Sequence, residues 1–267
     1  MNTDFSAEFN THELLLVLGT FGPCLVMGVE DPYLGMRAEE VVVSQRRALD
    51  SLLMKGFIHG VSEEKINLQD QIFTAANVIH HPNHSLIIHS KQRSNGDFHS
   101  YIHFGNEWIV HHKPSQDQHQ LILMQNVNRL SNGLGQALRN GSKAESSGPS
   151  FSLGEDKLFG VRRLCAEGKP NEARVRLDAE HLPAEVVSSL IETLSEPVTT
   201  SSFVLVVNRN IVESQYVRGF SVIEGADEMW IMEPYEEEEN SMVTFHAANA
   251  SKVRERFLEL IPWRLNG

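Results

Sequence analysis

Ser202-Phe203-Val204-Leu205-Val206, followed by Phe220-Ser221-Val222-Ile223, then Trp230-Ile231-Met232 and Met242-Val243-Thr244-Phe245, is the stretch from which the fold is read. The same order occurs earlier in the chain. Ser85-Leu86-Ile87-Ile88-His89 is followed by Tyr101-Ile102-His103-Phe104, Trp108-Ile109-Val110 and Leu121-Ile122-Leu123. These are short β-branched and aromatic runs separated by turn clusters such as Ser94-Asn95-Gly96-Asp97 and Glu224-Gly225-Ala226-Asp227. Short strands at this spacing, joined by tight turns, imply an antiparallel meander. Each meander leads into an apolar helical stretch, Val127 to Leu138 in one case and Val253 to Ile261 in the other. With Ser85 matched to Ser202 and Trp108 to Trp230, the expected fold is α+β. It has two pseudo-symmetric halves, each of helices plus an antiparallel β-meander closed by a C-terminal helix.

The expected organisation is an N-terminal half over 1–139, a Gly/Ser/Pro linker over 140–154 and a C-terminal half over 155–267. In the first half, residues 11–80 read as helices, 85–123 as the meander and 127–138 as the closing helix. Thr11 is placed to cap a helix whose apolar stripe is Leu14, Leu15, Leu18 and Phe21. A second helix runs from Arg37 to Met54 and stops at Gly56. Ser62-Glu63-Glu64-Lys65 has the form of a helix start, predicting a third helix to about Ala76. In the second half, Glu155 to Ala166 and Leu182 to Leu194 are expected helices, with Pro183 in the first turn of the latter.

The chain has 267 residues, 41% of them hydrophobic, and a formal net charge of −12. That charge repels phosphate, and Arg46-Arg47 and Arg162-Arg163 are its only local basic groupings, so nucleic acid is not the expected partner. The longest apolar runs, such as Leu14 to Leu18, are too short to span a membrane. The polar Met1 to Asn10 does not read as a signal peptide, so the expected location is cytoplasmic. Cys24 and Cys165 lack any metal-binding spacing and read as free thiols.

Histidine is the chemical anomaly. His80, His81, His84, His89, His99, His103, His111, His112 and His119 crowd one meander. Alternation puts His89, His99 and His103 on one face and sends His111 and His112 to opposite faces. No HExxH, GxSxG or phosphate-loop motif accompanies them. They are expected as surface residues of an exposed sheet and its turns, so no catalytic residue, metal ligand or cofactor is assigned. A metal-dependent hydrolase built on this cluster is the alternative from another class. A winged-helix regulator is a further one, suggested by the helix-to-strand passage Arg47 to Ile58.

The order of elements resembles the EspG family of type VII (ESX) secretion proteins. The resembling residues are Glu13-Leu14-Leu15-Leu16, Ala48 to Gly56, and Trp230-Ile231-Met232 followed by Val243-Thr244-Phe245 and Val253 to Leu260. The resemblance implies a fold of two pseudo-symmetric α/β halves. It also implies a non-enzymatic cytosolic chaperone or adaptor that holds a helical secreted protein before export. The candidate partner contacts are Phe220, Val222, Trp230 and Met232, at alternating positions on two strands expected to be neighbours. Ordinary core packing beneath the helices is the competing reading for each. The sequence leaves the oligomeric state open.

Overall fold

The computed structural model describes residues 4–23, 26–62, 65–94, 96–130, 149–207, 216–238 and 240–261. The first half comprises β1 (Phe5–Asn10), α1 (Thr11–Gly19), α2 (Ala38–Met54), β2 (Ile58–Val61), β3 (Ile66–Leu68), α3 (Asp70–His80), β4 (His84–Gln92), β5 (Gly96–Phe104), β6 (Ile109–Ser115) and β7 (Gln118–Met124). The second comprises β8 (Ser150–Gly154), α4 (Glu155–Ala166), α5 (Pro170–Asp178), α6 (Ala184–Ser195), β9 (Thr199–Val207), β10 (Tyr216–Glu224), β11 (Met229–Glu237), β12 (Asn240–Ala247) and α7 (Ala250–Leu260).

Ten strands form one antiparallel sheet in the order β1-β7-β6-β5-β4-β9-β10-β11-β12-β8. Each half supplies five neighbouring strands in the same internal order, so the expected duplication is present. The halves join through β4 and β9, and Ile88 opposite Phe203 is the midpoint of that pairing. A pseudo-two-fold axis through this midpoint carries each sheet face onto itself, because opposed residues of an antiparallel pair share a face. On the front face, α1 to α3 pack over Ala7, Phe9, Val110, Leu121 and Leu123. On the same face α4 to α6 pack over Leu153, Ile223, Trp230, Met232 and Phe245. The back face carries the central core, with Leu86, Ile88, Phe203, Leu205, Phe220 and Val222 beneath Val253 and Phe257 of α7.

The internal match is shifted from the one read in sequence. Gly105 N–H donates to Trp108 O (2.9 Å), and Gly225 N–H donates to Glu228 O (2.8 Å). The counterpart of Trp108 is therefore Glu228, and Trp230 stands at the position of Val110. β4 superposes on β9 from His84 and Thr199, which makes Thr200, not Ser202, the counterpart of Ser85. Both shifts are two residues long, so each side chain keeps its face.

Local chemistry accounts for the other departures. The cap of α1 is Asn10, not Thr11: Asn10 Oδ1 accepts from Glu13 N–H (2.9 Å), and Glu13 Oε2 accepts from Asn10 N–H (2.8 Å). This reciprocal pair satisfies two backbone donors at once. α2 stops at the expected place, with Gly56 at φ 72°. Ser62 and Lys65 belong to a hairpin instead of a helix start, since Ser62 N–H donates to Lys65 O (2.9 Å). The third helix accordingly begins at Asp70, and Glu63 and Glu64 lie outside the described residues. β6 turns into β7 at Gln116, with φ 55°.

Of the expected closing helix over 127–138, Val127–Arg129 form a 3-10 turn and residues 131–138 lie outside the described residues. So do residues 140–148 of the expected linker and Cys24. The last five linker residues, Ser150–Gly154, are the edge strand β8, paired with β12. Cys165 is a buried free thiol.

Candidate functional site

Among the described residues the front face is covered at its two sides: α1 and α3 pack on β5, β6 and β7, and α4 and α6 on β8, β10 and β12, leaving a trough along the pseudo-axis over β4 and β9. Its floor follows from strand registers. One row across the sheet is Tyr101, Ile87, Val204 and Gly219. The next is His99, His89, Ser202 and Ser221. All are half-buried except His99, which is exposed. On the opposite face of the same strands, Leu86, Ile88, Ile102, Phe203, Leu205, Phe220 and Val222 are buried. The trough thus presents an apolar stripe beside a polar one. Gly219 fits because it is bare: a Cβ there would run into Phe203 O.

The imidazoles of His89 and His99 stack at 4.4 Å on the floor. On its N-terminal side the trough continues into a depression of about 990 Å³ lined by His99, Tyr101, His119 and Gly28. Gly28 (φ 75°) lies against the Tyr101 ring so closely that no side chain fits there. Gly28→Val should therefore displace Tyr101, and quenching of Tyr101 by added iodide should rise.

The four residues singled out in the sequence fall elsewhere. β10 and β11 are neighbours as expected, but Phe220 and Val222 point to the back core while Trp230 and Met232 point to the front core. All four are 5% exposed or less. They hold the sheet between its layers, and a partner reaches none of them without unpacking the protein.

Nor are the histidines confined to the surface. His103, His111, His112 and His119 are buried. Three of them form a row across the front face beneath the N-terminal layer. Ser85 Oγ lies 3.1 Å from His103 Nδ1, the His103 and His112 rings are 6.3 Å apart, and His112 Nε2 lies 2.9 Å from His119 Nδ1. His119 Nε2 is 3.1 Å from Thr11 Oγ1. Burial holds His103 down at about 4. Burial, then the nearby Lys113 and His103, hold His111 at about 3. Burial lowers His119 too, against the pull of Asp117. These are neutral, inward-facing rings. Among the described residues no three His, Cys, Asp or Glu side chains are placed to hold a metal ion, so the hydrolase reading finds no centre among them. The passage from α2 through Gly56 into β2 is present, but it leads into a two-stranded hairpin beside the main sheet. Among the described residues no helix is long and apolar enough to cross a membrane.

No family model and no curated protein matches the chain. Among solved structures it is similar to a chain in the structure of the Mycobacterium tuberculosis type VII secretion system chaperone EspG5 in complex with the PE25–PPE41 dimer. The two share 11% sequence identity, with a TM-score of 0.69 over 98% of each chain. The likeness is one of fold, and it runs the whole length of both.

Proposed function

We propose that this protein is a non-enzymatic, cytoplasmic adaptor or chaperone that holds a helical secreted protein of a type VII system in its front-face trough. The observation that carries the proposal is the half-open floor of Tyr101, Ile87 and Val204, lying between two covered flanks of an otherwise well-packed sheet. Four strands span three spacings of about 4.8 Å, about 14 Å in all, which admits one helix about 10 Å across. An amphipathic helix laid there meets apolar side chains on one stripe and hydrogen-bonding ones on the other. The end-to-end likeness to a chaperone solved with a protein dimer supports the same reading.

The test is complex formation with helical secreted proteins encoded beside this gene, measured by calorimetry on co-purified components. Ile87→Asp combined with Val204→Asp should leave circular dichroism and melting nearly unchanged, because both side chains are already partly in water. Binding should weaken by at least about 100-fold, the cost of burying two charges in the contact. Unweakened binding by a folded double variant would overturn the assignment of the trough.

A further inference from the structure

The pseudo-symmetry sets the buried histidine row against its own counterpart. Gly105 and Gly225 occupy equivalent turns, and the strands leading into and out of them pair alike. His103 therefore corresponds to Ile223 and His112 to Met232. In the outer strands His119 lies opposite Phe9 of β1, as Val243 lies opposite Leu153 of β8. Where the second half builds a dry core from Ile223, Met232 and Val243, the first half uses three imidazoles. We propose that the row His103–His112–His119 is an acid-sensitive latch that releases the N-terminal helical layer, α1 to α3, from the sheet while the C-terminal layer stays packed.

The hydrogen bonds give the row a direction. Thr11 Oγ1 donates to Asp117 O (3.3 Å), so it accepts from His119 Nε2–H. His119 Nδ1 is then the acceptor for His112 Nε2–H. This leaves His112 Nδ1 as a buried lone pair without a partner among the described residues, and His103 Nε2 is likewise unpartnered. One added proton forces His112 into its other tautomer and buries an N–H with no acceptor. A second sets two donors against each other at 2.9 Å. A charged His119 would also sit at the N-terminus of α1, against the helix dipole.

Of the surrounding charges Asp117 favours a protonated His119, but burial outweighs it. On the covering elements the titratable groups are His12 and Glu13 on α1, Asp70 and His80 on α3, Glu8 on β1, Glu30, Asp31, Tyr33 and Arg37 between α1 and α2, Lys55 just past the end of α2, and the exposed Glu39, Glu40, Arg46, Arg47 and Asp50 on α2. Tyr101 stands 5.6 Å from His112 within the sheet, and Asp117 closes the β6–β7 turn. Glu13 is already engaged by Lys55. Among the described residues no carboxylate pairs with any ring of the row; the histidine ion pair is that of His246.

The sign follows directly. In the opened layer these rings titrate near 6.5, whereas in the closed layer burial holds them lower, with His103 at about 4. Stability of the layer is thus fully present above 6.5 and is lost as pH falls from there toward 4. His103 and His112, the latter held at about 2, each raise the opened population about tenfold per pH unit in that window, and His119 acts in the same direction. Glu13 titrates below 4.5, so its contribution is separated in pH. His111, on the back face, adds at most one further proton.

Hydrogen exchange, corrected for its intrinsic pH dependence, tests the latch. Between about pH 7 and pH 5, protection of residues 11–19 and 70–80 should fall at least about 100-fold, while that of 155–195 changes less than about threefold. Giving the row its counterparts' side chains, His103→Ile, His112→Met and His119→Val, should reduce the difference to about 30-fold or less, the share of one remaining proton. Equal loss of protection in both layers, or an unaltered pH response in the variant, would overturn the latch. If the triple variant does not fold, imidazole NMR of the native protein decides. Rings of the row that stay neutral above about pH 5 support it, and a row ring titrating near 6.5 in the closed protein contradicts it.

Discussion

Phe203→Ala should cost about 4 kcal/mol, the largest loss expected from any single truncation in the protein. Phe203 is fully buried at the pseudo-axis, opposite Ile88. Its ring stacks on Phe220 at 4.7 Å and meets the edge of Phe257 on α7 at 5.9 Å. It therefore joins both halves and the back-face helix in one contact. Its surroundings are backbone-paired on both sides, by β4 and β10, so the site cannot collapse to fill the cavity, which places the cost high in the range for such changes. In a chain of this length that loss corresponds to a melting temperature roughly 10 °C lower. Phe151→Ala is the control. Phe151 stacks on Phe245 at the sheet edge but is only partly buried, and should cost about half as much. Denaturant unfolding followed by circular dichroism measures both, and equal losses would contradict the axial role of Phe203.

Glu13→Ala should cost about 3 kcal/mol, for a different reason. Glu13 is a fully buried carboxylate in a protein whose other acidic residues are mostly on the surface. Burial pushes its carboxyl upward, but hydrogen bonds from Lys55, Ser51 and the Asn10 N–H outweigh that and hold it below its ordinary value. Ser51 Oγ donates at 2.6 Å and Lys55 Nζ at 2.7 Å, so one side chain caps α1 and ties it to the last turns of α2. Alanine leaves the Asn10 N–H and the Ser51 hydroxyl without that acceptor. Ser51→Ala removes one bond only and should cost about 1 kcal/mol. The contribution of Glu13 is present above about 4.5 and is lost as pH falls through its lowered folded value, so the difference between native protein and Glu13→Ala should vanish in acid. A difference unchanged between about pH 7 and pH 3 would refute the ion-paired role.

What could be read in the sequence was whatever repeats locally. Eight of the ten main strands are apolar runs between turn residues, and their order alone led to two related halves. The edge strands β1 and β8 were missed because Phe5-Ser6-Ala7-Glu8-Phe9 and Ser150-Phe151-Ser152-Leu153 present few apolar residues, as suits strands paired on one side only. α5 was missed because its buried stripe is just Ala173 and Leu177. The hairpin β2–β3 was read as helix because Ser62-Glu63-Glu64-Lys65 has the composition of a helix start.

The site was harder to read, because the face of a strand that stays open is decided by helices distant in sequence. Phe220 and Trp230 read as partner contacts because they are apolar at alternating positions of neighbouring strands, and that same apolar character is why the core takes them. Ile87, His89, Ser202 and Val204 carry no such mark; only the gap between the helical layers gives them their place. The histidine cluster was visible from composition, but the burial of its row required knowing that α1 to α3 lie over it.

The placement of the client is tested most directly by site-specific photo-crosslinking in the co-purified complex. A photoreactive phenylalanine analogue replaces Val204 on the trough floor or, separately, Val175 on the outer side of α5, which is 71% exposed. Crosslinks from position 204 to the client's helix, with none from position 175, are the expected result. A client that crosslinks from position 175 and leaves position 204 unreacted would contradict the assignment of the trough as the holding surface.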